Sequence, residues 1–483
     1  MLEECPVLGW AASGGMALTG DADGAPVASP APAFGLLSSV VSELASVTRS
    51  VGAEVRADPG ELMAGRAALA GFLRRGRVSA GGSARLLRAA DGWCAVNLSR
   101  GDDVAAVPAI VGGLGLGLGL GFAGRGLGGD LGRDLGGFGG GDGGADTAWG
   151  LLEAAAVGVR AEALAGAAQG LGVPAAALPG AAAGAGPGPG RIERIALASG
   201  PRQRPGRVER IALASGGARL AGAVVVDLSS MWAGPLCARL LGLAGAEVIK
   251  VETPGRPDGA RAGERRFFDW LHGGHRSVVL DFRAESGRRA LGALIAAADV
   301  VIEASRPRAL GQLGLAPEML PHRDGQVWLS ITGYGRGGDA AGLVAFGDDA
   351  AVAGGLVGWT GGGEPVFCAD AIADPLTGVC GALAVARSVA DGGGQLIDLS
   401  MRAVAAWFAG AAGVDHGPHS VRSVRSAGVG GVDALVTCAA LGMSQEVRAP
   451  AFSGGGGGGA AAAAMGADTS AVLARLGLGS SGC

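Results

Sequence analysis

The stretch AVVVDLSSMWAGPLCARLLGLAGAEVIKVE, residues 223–252, decides the fold. Its opening, AVVVDL (223–228), is a short continuous apolar run of the kind a strand covered on both faces requires. PLCARLLGLA then starts with proline in a first-turn position and stops before Gly245, where a helix would stop. AEVIKVE (246–252) reads as a second strand, and inside it sits Lys250, the single lysine of a chain with 39 Lys+Arg. Strand, helix and strand in this order form one unit of a parallel sheet.

The alternation continues downstream. RSVVLDF (276–282) reads as a strand, ESGRRALGALIAAA (285–298) as a helix, and DVVIEA (299–304) as a strand. QVWLSIT (326–332), a helix after Pro375 and QLIDLS (395–400) extend the pattern. The expected fold is α/β: a Rossmann-like, mainly parallel sheet with helices on both faces. A smaller α+β lobe is expected from the N-terminal half, where RVSAGGSARLLRAADGWCAVNLSR (77–100) has two short apolar strands around an Asp-Gly turn. Ligands belong at the carboxyl ends of the parallel strands.

Composition divides the chain into four parts. Residues 1–111 read as ordered, and 112–220 hold a Gly-rich low-complexity run, an alanine-rich helical stretch from about 147 to 178, and a duplicated decapeptide. The two copies are RIERIALASG (191–200) and RVERIALASG (207–216), which read as a linker duplication. Residues 221–425 carry the strand–helix alternation and read as one domain, and 426–483 as a Gly-rich tail with a closing helix.

A net charge of -4 suggests no nucleic-acid partner. The apolar runs are broken by Gly, Arg or Asp before the ~20 residues that a bilayer span needs, so no membrane is expected. The seven cysteines show no metal-ligand spacing and read as reduced thiols of a cytoplasmic protein. No metal is expected. GLGLGLGLGF (113–122) follows no strand and opens no helix, so it is not a dinucleotide loop. No G-x-S-x-G elbow sits between a strand and a helix, and in DHGPHS the Gly-Pro between His416 and His419 prevents a regular helix and no carboxylate spacing supports a metal.

PVFCADAIADPLTGVCGALAVARSV (365–389) is the most informative segment. Asp374 precedes Pro375 at the start of a helical pattern, where it reads as an N-cap. The same helix terminus would hold a nucleophilic carboxylate ionised.

At these residues the chain resembles the family III CoA-transferases, a group that includes formyl-CoA and carnitine CoA-transferases and α-methylacyl-CoA racemase. The resemblance is carried by VVVDLSSMWAGPLCARLLGLAGAEVIKVETPG (224–255), HRSVVLDFRAESGRRAL (275–291), ADVVIEASRPRALGQLGL (298–315), WLSITGYGRGG (328–338), GGLVGWTG (354–361) and ADAIADPLTGVCGALAV (369–385). LGWAASGGMALTGDADGAPV (8–27) echoes the same GGLVGWTG-type block out of order, as if two half-units were joined.

The resemblance implies an acyl-CoA:carboxylate CoA-transferase with Asp374 as nucleophile, a CoA thioester as substrate, no tightly bound cofactor, a carboxylic acid as acceptor and a homodimer. It implies CoA contacts from Met231, Trp232 and Ala233, from Lys250 at the site's edge, from Leu280, Asp281, Phe282 and Arg283, and from Ala304, Ser305, Arg306 and Gln312. Departures are Thr253, where the family often has a basic residue, and Ala304–Ser305, where it has Asn-Phe. A racemase is the alternative within the family. There the second acid/base is a histidine, and this chain has Phe346. A degenerate CoA-binding subunit is the alternative from another class.

Overall fold

A computed structural model describes residues 5–30, 32–115, 142–180, 208–210, 219–411, 416–425, 432–454 and 460–478. Most of the low-complexity run, the first decapeptide copy and most of the glycine run at 454–459 therefore lie outside the described residues.

The chain opens with helices α1 (Pro6–Ala12), α2 (Pro32–Val51) and α3 (Pro59–Ala70). The start of α3 is fixed by Asp58, whose side chain accepts the Glu61 N–H, and its end by Gly71 at φ 67°. A small lobe follows. Strands β1 (Ala84–Arg88) and β2 (Trp93–Asn97) pair antiparallel around the expected Asp-Gly turn. Helices α4 (Gly101–Gly113), α5 (Asp142–Ala156) and α6 (Ala161–Gly170) cover them, and β3 (Ala175–Ala177) pairs with β2.

The alanine-rich stretch at 147–178 is thus not one helix. Asp91 accepts the Ala161 N–H at 2.8 Å and starts a new helix there, while Gly172 at φ 76° and Pro174 end it. Pairing with β2 then draws three alanines into a strand against their intrinsic helix preference. The lobe runs from β1 to β3 and so continues past residue 111.

The main sheet has the order β4-β12-β9-β8-β5-β6-β7. Its members are β4 (Val208–Arg210), β5 (Val224–Asp227), β6 (Glu247–Glu252), β7 (Arg276–Val279), β8 (Val300–Glu303), β9 (Val327–Thr332) and β12 (Gln395–Ser400). All are mutually parallel except β4, which pairs antiparallel with β12 at the edge. The second decapeptide copy therefore adds an edge strand.

Three connecting helices are α7 (Ala233–Leu243), α8 (Arg265–His272) and α9 (Glu285–Ala297). They are followed by α10 (Pro307–Gln312) and α11 (Gly347–Ala353), then by the small β10–β11 hairpin (Gly358–Trp359, Pro365–Val366). Last come α12 (Ala373–Ala390) and α13 (Met401–Ala409).

Alternate residues of each strand feed opposite cores, as the strand period dictates. Val225, Val248 and Val300 pack with α7, α12 and α2, whereas Val226, Ile249 and Val301 pack with α9 on the other face. Helix α12 is buried along nearly its whole circumference, which explains a helix apolar on every side. Gly378 lets it approach α7 closely, since a Cβ there would lie 2.7 Å from the Ala233 carbonyl.

The tail is more structured than its composition implies. Strands β13 (His419–Arg425), β14 (Val432–Cys438) and β15 (Met443–Glu446) form an antiparallel sheet, so a boundary at 425/426 would cut between paired strands. Residues 460–478, with helix α14 (Thr469–Arg475), lie along the free edge of β7. Asp468 accepts the Ser277 N–H at 2.9 Å and Thr469 Oγ1 accepts that of Val279 at 3.0 Å. Side chains thus occupy donors that an uncovered edge strand would leave open.

Candidate active site

The chain runs from β5 outward to β6 and β7, then returns to β8 on the other side of β5. The crevice between the carboxyl ends of β5 and β8 is therefore the topological switch point, where open α/β sheets take their ligands. Met231, Trp232 and Ala233 lie in the turn after β5. Met231 has φ 73° and is 38% exposed, whereas Trp232 and Ala233 are buried. A non-glycine residue at this φ is strained and persists only where its surroundings fix it. Here the Met231 N–H donates to Asp258 Oδ1 at 2.9 Å.

Lys250 lies beneath this turn. Expected at the edge of the site, it is instead 2% exposed and directed into the α7 side of the sheet. Its Nζ is 2.8 Å from Asp258 and 3.7 Å from Asp227 and bonds the Ser229 carbonyl. Burial lowers its pKa, but Asp227 and Asp258 outweigh burial and raise it, so the ammonium stays charged. Lys250 fixes Asp258, and Asp258 fixes the turn. It is a positioning residue, because the alternation along β6 leaves its head no path to solvent.

After β7, Leu280 is buried and Asp281 Oδ1 accepts the Arg283 N–H at 2.9 Å. Phe282 is half-buried and Arg283 exposed. After β8, Ala304 is exposed and Ser305 donates to Glu303 at 3.1 Å. Gln312, at the end of α10, is also exposed. Arg306 sits among Arg308, Arg256 and Arg100. Its pKa is depressed first by burial and then by these three cations. Among the described residues, Arg256, Arg306 and Arg308 meet no carboxylate within ion-pair distance. An unneutralised group of guanidinium ions beside a switch point is suited to phosphate.

Asp374 stands at the start of α12. The helix N-cap is Ile372, so Asp374 is in the first turn and is not the cap. The approach is strained: Ala369 has φ 53° and Ala371 φ 42°. The Ala369 N–H donates to Thr19 Oγ1 at 3.0 Å and the Ala371 N–H to Asp348 Oδ1 at 3.1 Å, which fixes the bend.

The Asp374 carboxyl is partly exposed and receives the N–H of Gly347, the first residue of α11. Only glycine fits at 347, since a Cβ there would lie 2.5 Å from Asp374 Oδ2. Burial pushes Asp374 up to about 7, with Arg66 pulling down and Asp348 and Asp370 pushing further up. The expectation of a carboxylate held ionised by its helix terminus is thus corrected. Desolvation and two acidic neighbours outweigh the helix dipole.

Asp348 is likewise raised to about 7, first by burial and then by Asp370, with Arg66 opposing. Asp349, further along, accepts the Phe346 N–H at 3.0 Å and lies 3.4 Å from the Asn97 amide.

Arg66, on α3, is the member of this cluster that sequence reading missed. It pairs with Asp370 at 2.9 Å, and its guanidinium lies over Trp232 (5.4 Å) and Phe267 (5.8 Å). It thereby joins the turn after β5 to the acidic cluster around Asp374. Its sequence distance from that cluster, 304 residues to Asp370, left no local signal. A separate cavity of about 630 Å³ opens between the lobe and Tyr334, Trp359 and Arg402, away from Asp374.

Residues 220–437 match CoA-transferase family III. An acyl-CoA transferase of Fusarium pseudograminearum is 34% identical over 204 residues, covering 38% of this chain and 45% of that protein. The succinate–glutarate CoA-transferase of Agrobacterium fabrum is 32% identical over 204 residues, covering 38% and 50%. The chain spans about half the length of these curated relatives. A CAIB/BAIF family protein from Brucella suis, known from its crystal structure, is 32% identical with TM-score 0.36, over 40% of this chain and 55% of that one.

Proposed function

We propose that the protein is an acyl-CoA:carboxylate CoA-transferase with Asp374 as its nucleophile. The supporting observation is a partly exposed carboxyl, held by the Gly347 N–H at the head of a buried helix beside the basic switch-point crevice. Arg306, Arg308 and Arg256 would meet the phosphates of CoA. Met231–Ala233, Leu280–Arg283, Ala304, Ser305 and Gln312 would border its path.

In the first step an Asp374 carboxylate oxygen forms a bond to the thioester carbonyl carbon, and the C–S bond breaks. An acyl–aspartyl anhydride and CoA thiolate result. The thiolate attacks the aspartyl carbonyl and releases the donor carboxylate, leaving an aspartyl–CoA thioester. The acceptor carboxylate attacks that thioester to give a new anhydride, and CoA thiolate then takes the new acyl group and restores Asp374. A carboxylate is a weak nucleophile, so proximity and N–H donors must supply most of the acceleration. A pKa near 7 makes Asp374 more basic than an ordinary aspartate but requires its ionisation before attack.

A racemase would need a proton carrier at position 346. Phe346 lies under the Arg100 guanidinium at 5.8 Å and cannot move a proton. Incubation with acyl-CoA and hydroxylamine should leave a hydroxamate on Asp374, read by peptide mass spectrometry. Full turnover by Asp374→Asn would overturn the mechanism. CoA binding without turnover in the natural protein would favour the degenerate subunit. A homodimer is also part of the proposal, tested by light scattering.

A further inference from the structure

We propose that Cys5, His419 and Cys438 form a site for a divalent metal ion of the zinc class, clamping the amino-terminal helix to the β13–β14 hairpin. His419 and Cys438 are directly opposite each other in the antiparallel register, so the hairpin presents both on one face. Cys5 comes from a different element, immediately before α1, and its Sγ is 3.1 Å from His419 Nε2. One ligand atom from each of the three lies within 4.8 Å of the others.

Tetrahedral zinc with Zn–S of about 2.3 Å and Zn–N of about 2.0 Å sets ligand edges of roughly 3.5–3.8 Å, so small side-chain rotations close the site. Both thiols are fully buried and the imidazole is partly exposed. Two soft anionic ligands and a neutral imidazole suit zinc, and the exposed histidine side leaves room for water as a fourth ligand. Binding displaces two thiol protons, and the two thiolates neutralise the dication.

The other described cysteines, Cys94, Cys237, Cys368 and Cys380, are buried but belong to no such group. Among the described residues no other three His, Cys, Asp or Glu side chains come together this way. The spacing 5, 419, 438 matches no sequence motif, because the ligands meet only when α1 packs on β14.

The site is independent of the transferase reading, and its test needs no activity. The full chain, purified under reducing conditions, should carry or take up one equivalent of Zn²⁺ by elemental mass spectrometry. Titration with Co²⁺ should give a thiolate-to-cobalt charge-transfer band. His419→Gln, at the partly exposed ligand, and Cys438→Ser should each weaken Zn²⁺ affinity at least ~100-fold, since one of three ligands is lost. Cys94→Ser should leave it unchanged. No stoichiometric uptake by the reduced natural chain, equal loss in Cys94→Ser, or a Cys5–Cys438 disulfide in the reduced preparation would overturn the proposal.

Discussion

Two regions of the chain, Pro6–Val51 and Gly347–Ala390, follow one plan with opposite outcomes. Each has a short helix, a Gly-Gly turn, a Thr-Gly pair, a Pro-Val pair and then a long helix, α2 in the first and α12 in the second. The long helices pack on each other in one core, and Arg387 of α12 pairs with Glu43 of α2. The second region carries Asp348, Asp349, Asp370 and Asp374, whereas the first has no carboxylate between Asp23 and Glu43. The first serves the second instead: Thr19 holds the strained backbone at Ala369. The same local pattern therefore makes a scaffold or the proposed reactive site, depending on the few residues placed before the long helix.

The sharpest break of this comparison is Asp374→Asn. Transferase turnover should fall by at least ~10³-fold with far-ultraviolet dichroism unchanged, because the nucleophile is lost and little else. Leu36→Ala, beside the corresponding point of the first region, should retain turnover once corrected for the fraction folded. Activity assays with both variants decide whether one region alone reacts.

Next in size is the double variant Arg306→Ala/Arg308→Ala. KM for acyl-CoA should rise ~10–100-fold and become less salt-dependent, with kcat nearly unchanged, because these side chains would bind phosphate remote from the reacting carbon.

Arg66→Met addresses the electrostatics. In the natural protein kcat/KM should rise with pH through about 7 as Asp374 ionises. Arg66 lowers that pKa, so its loss should move the rising limb to higher pH and reduce kcat/KM at pH 7 by about tenfold, as less of the carboxyl is ionised there. Asp348→Asn removes a raising influence and should move the limb the other way. Stability gives a second readout. Asp348 and Asp374 both titrate higher in the folded chain than unfolded aspartate at about 3.9, so the folded state binds more protons. Denaturant titrations should therefore show stability present at low pH and lost as pH rises from about 4 through 7. Asp348→Asn should flatten that slope.

The smallest effect is expected from Thr19→Val, which removes the acceptor of the Ala369 N–H. Stability should fall by ~1–3 kcal/mol, the cost of a buried unsatisfied amide.

The α/β class, every parallel strand and the start of α12 were legible in the sequence. Their residues are continuous apolar runs bounded by Gly, Pro and Asp, and those are local properties. Asp374 was legible as a position at the head of α12 but its pKa was not, since its neighbours Asp348, Asp370 and Arg66 lie 26, 4 and 308 residues away. The tail was misjudged because its glycine content hid side chains that bond the edge of β7.

The sequence alone determined the sheet, the order of its loops and the one acid at the head of α12, because periodicity and punctuation act over a few residues. Tertiary structure alone decided that Lys250 is buried beneath a turn, that Arg66 reaches the acidic cluster, and that Cys5 meets His419 and Cys438. These depend on which face of an element is covered and on what packs against it, and neither is written in any short stretch of chain.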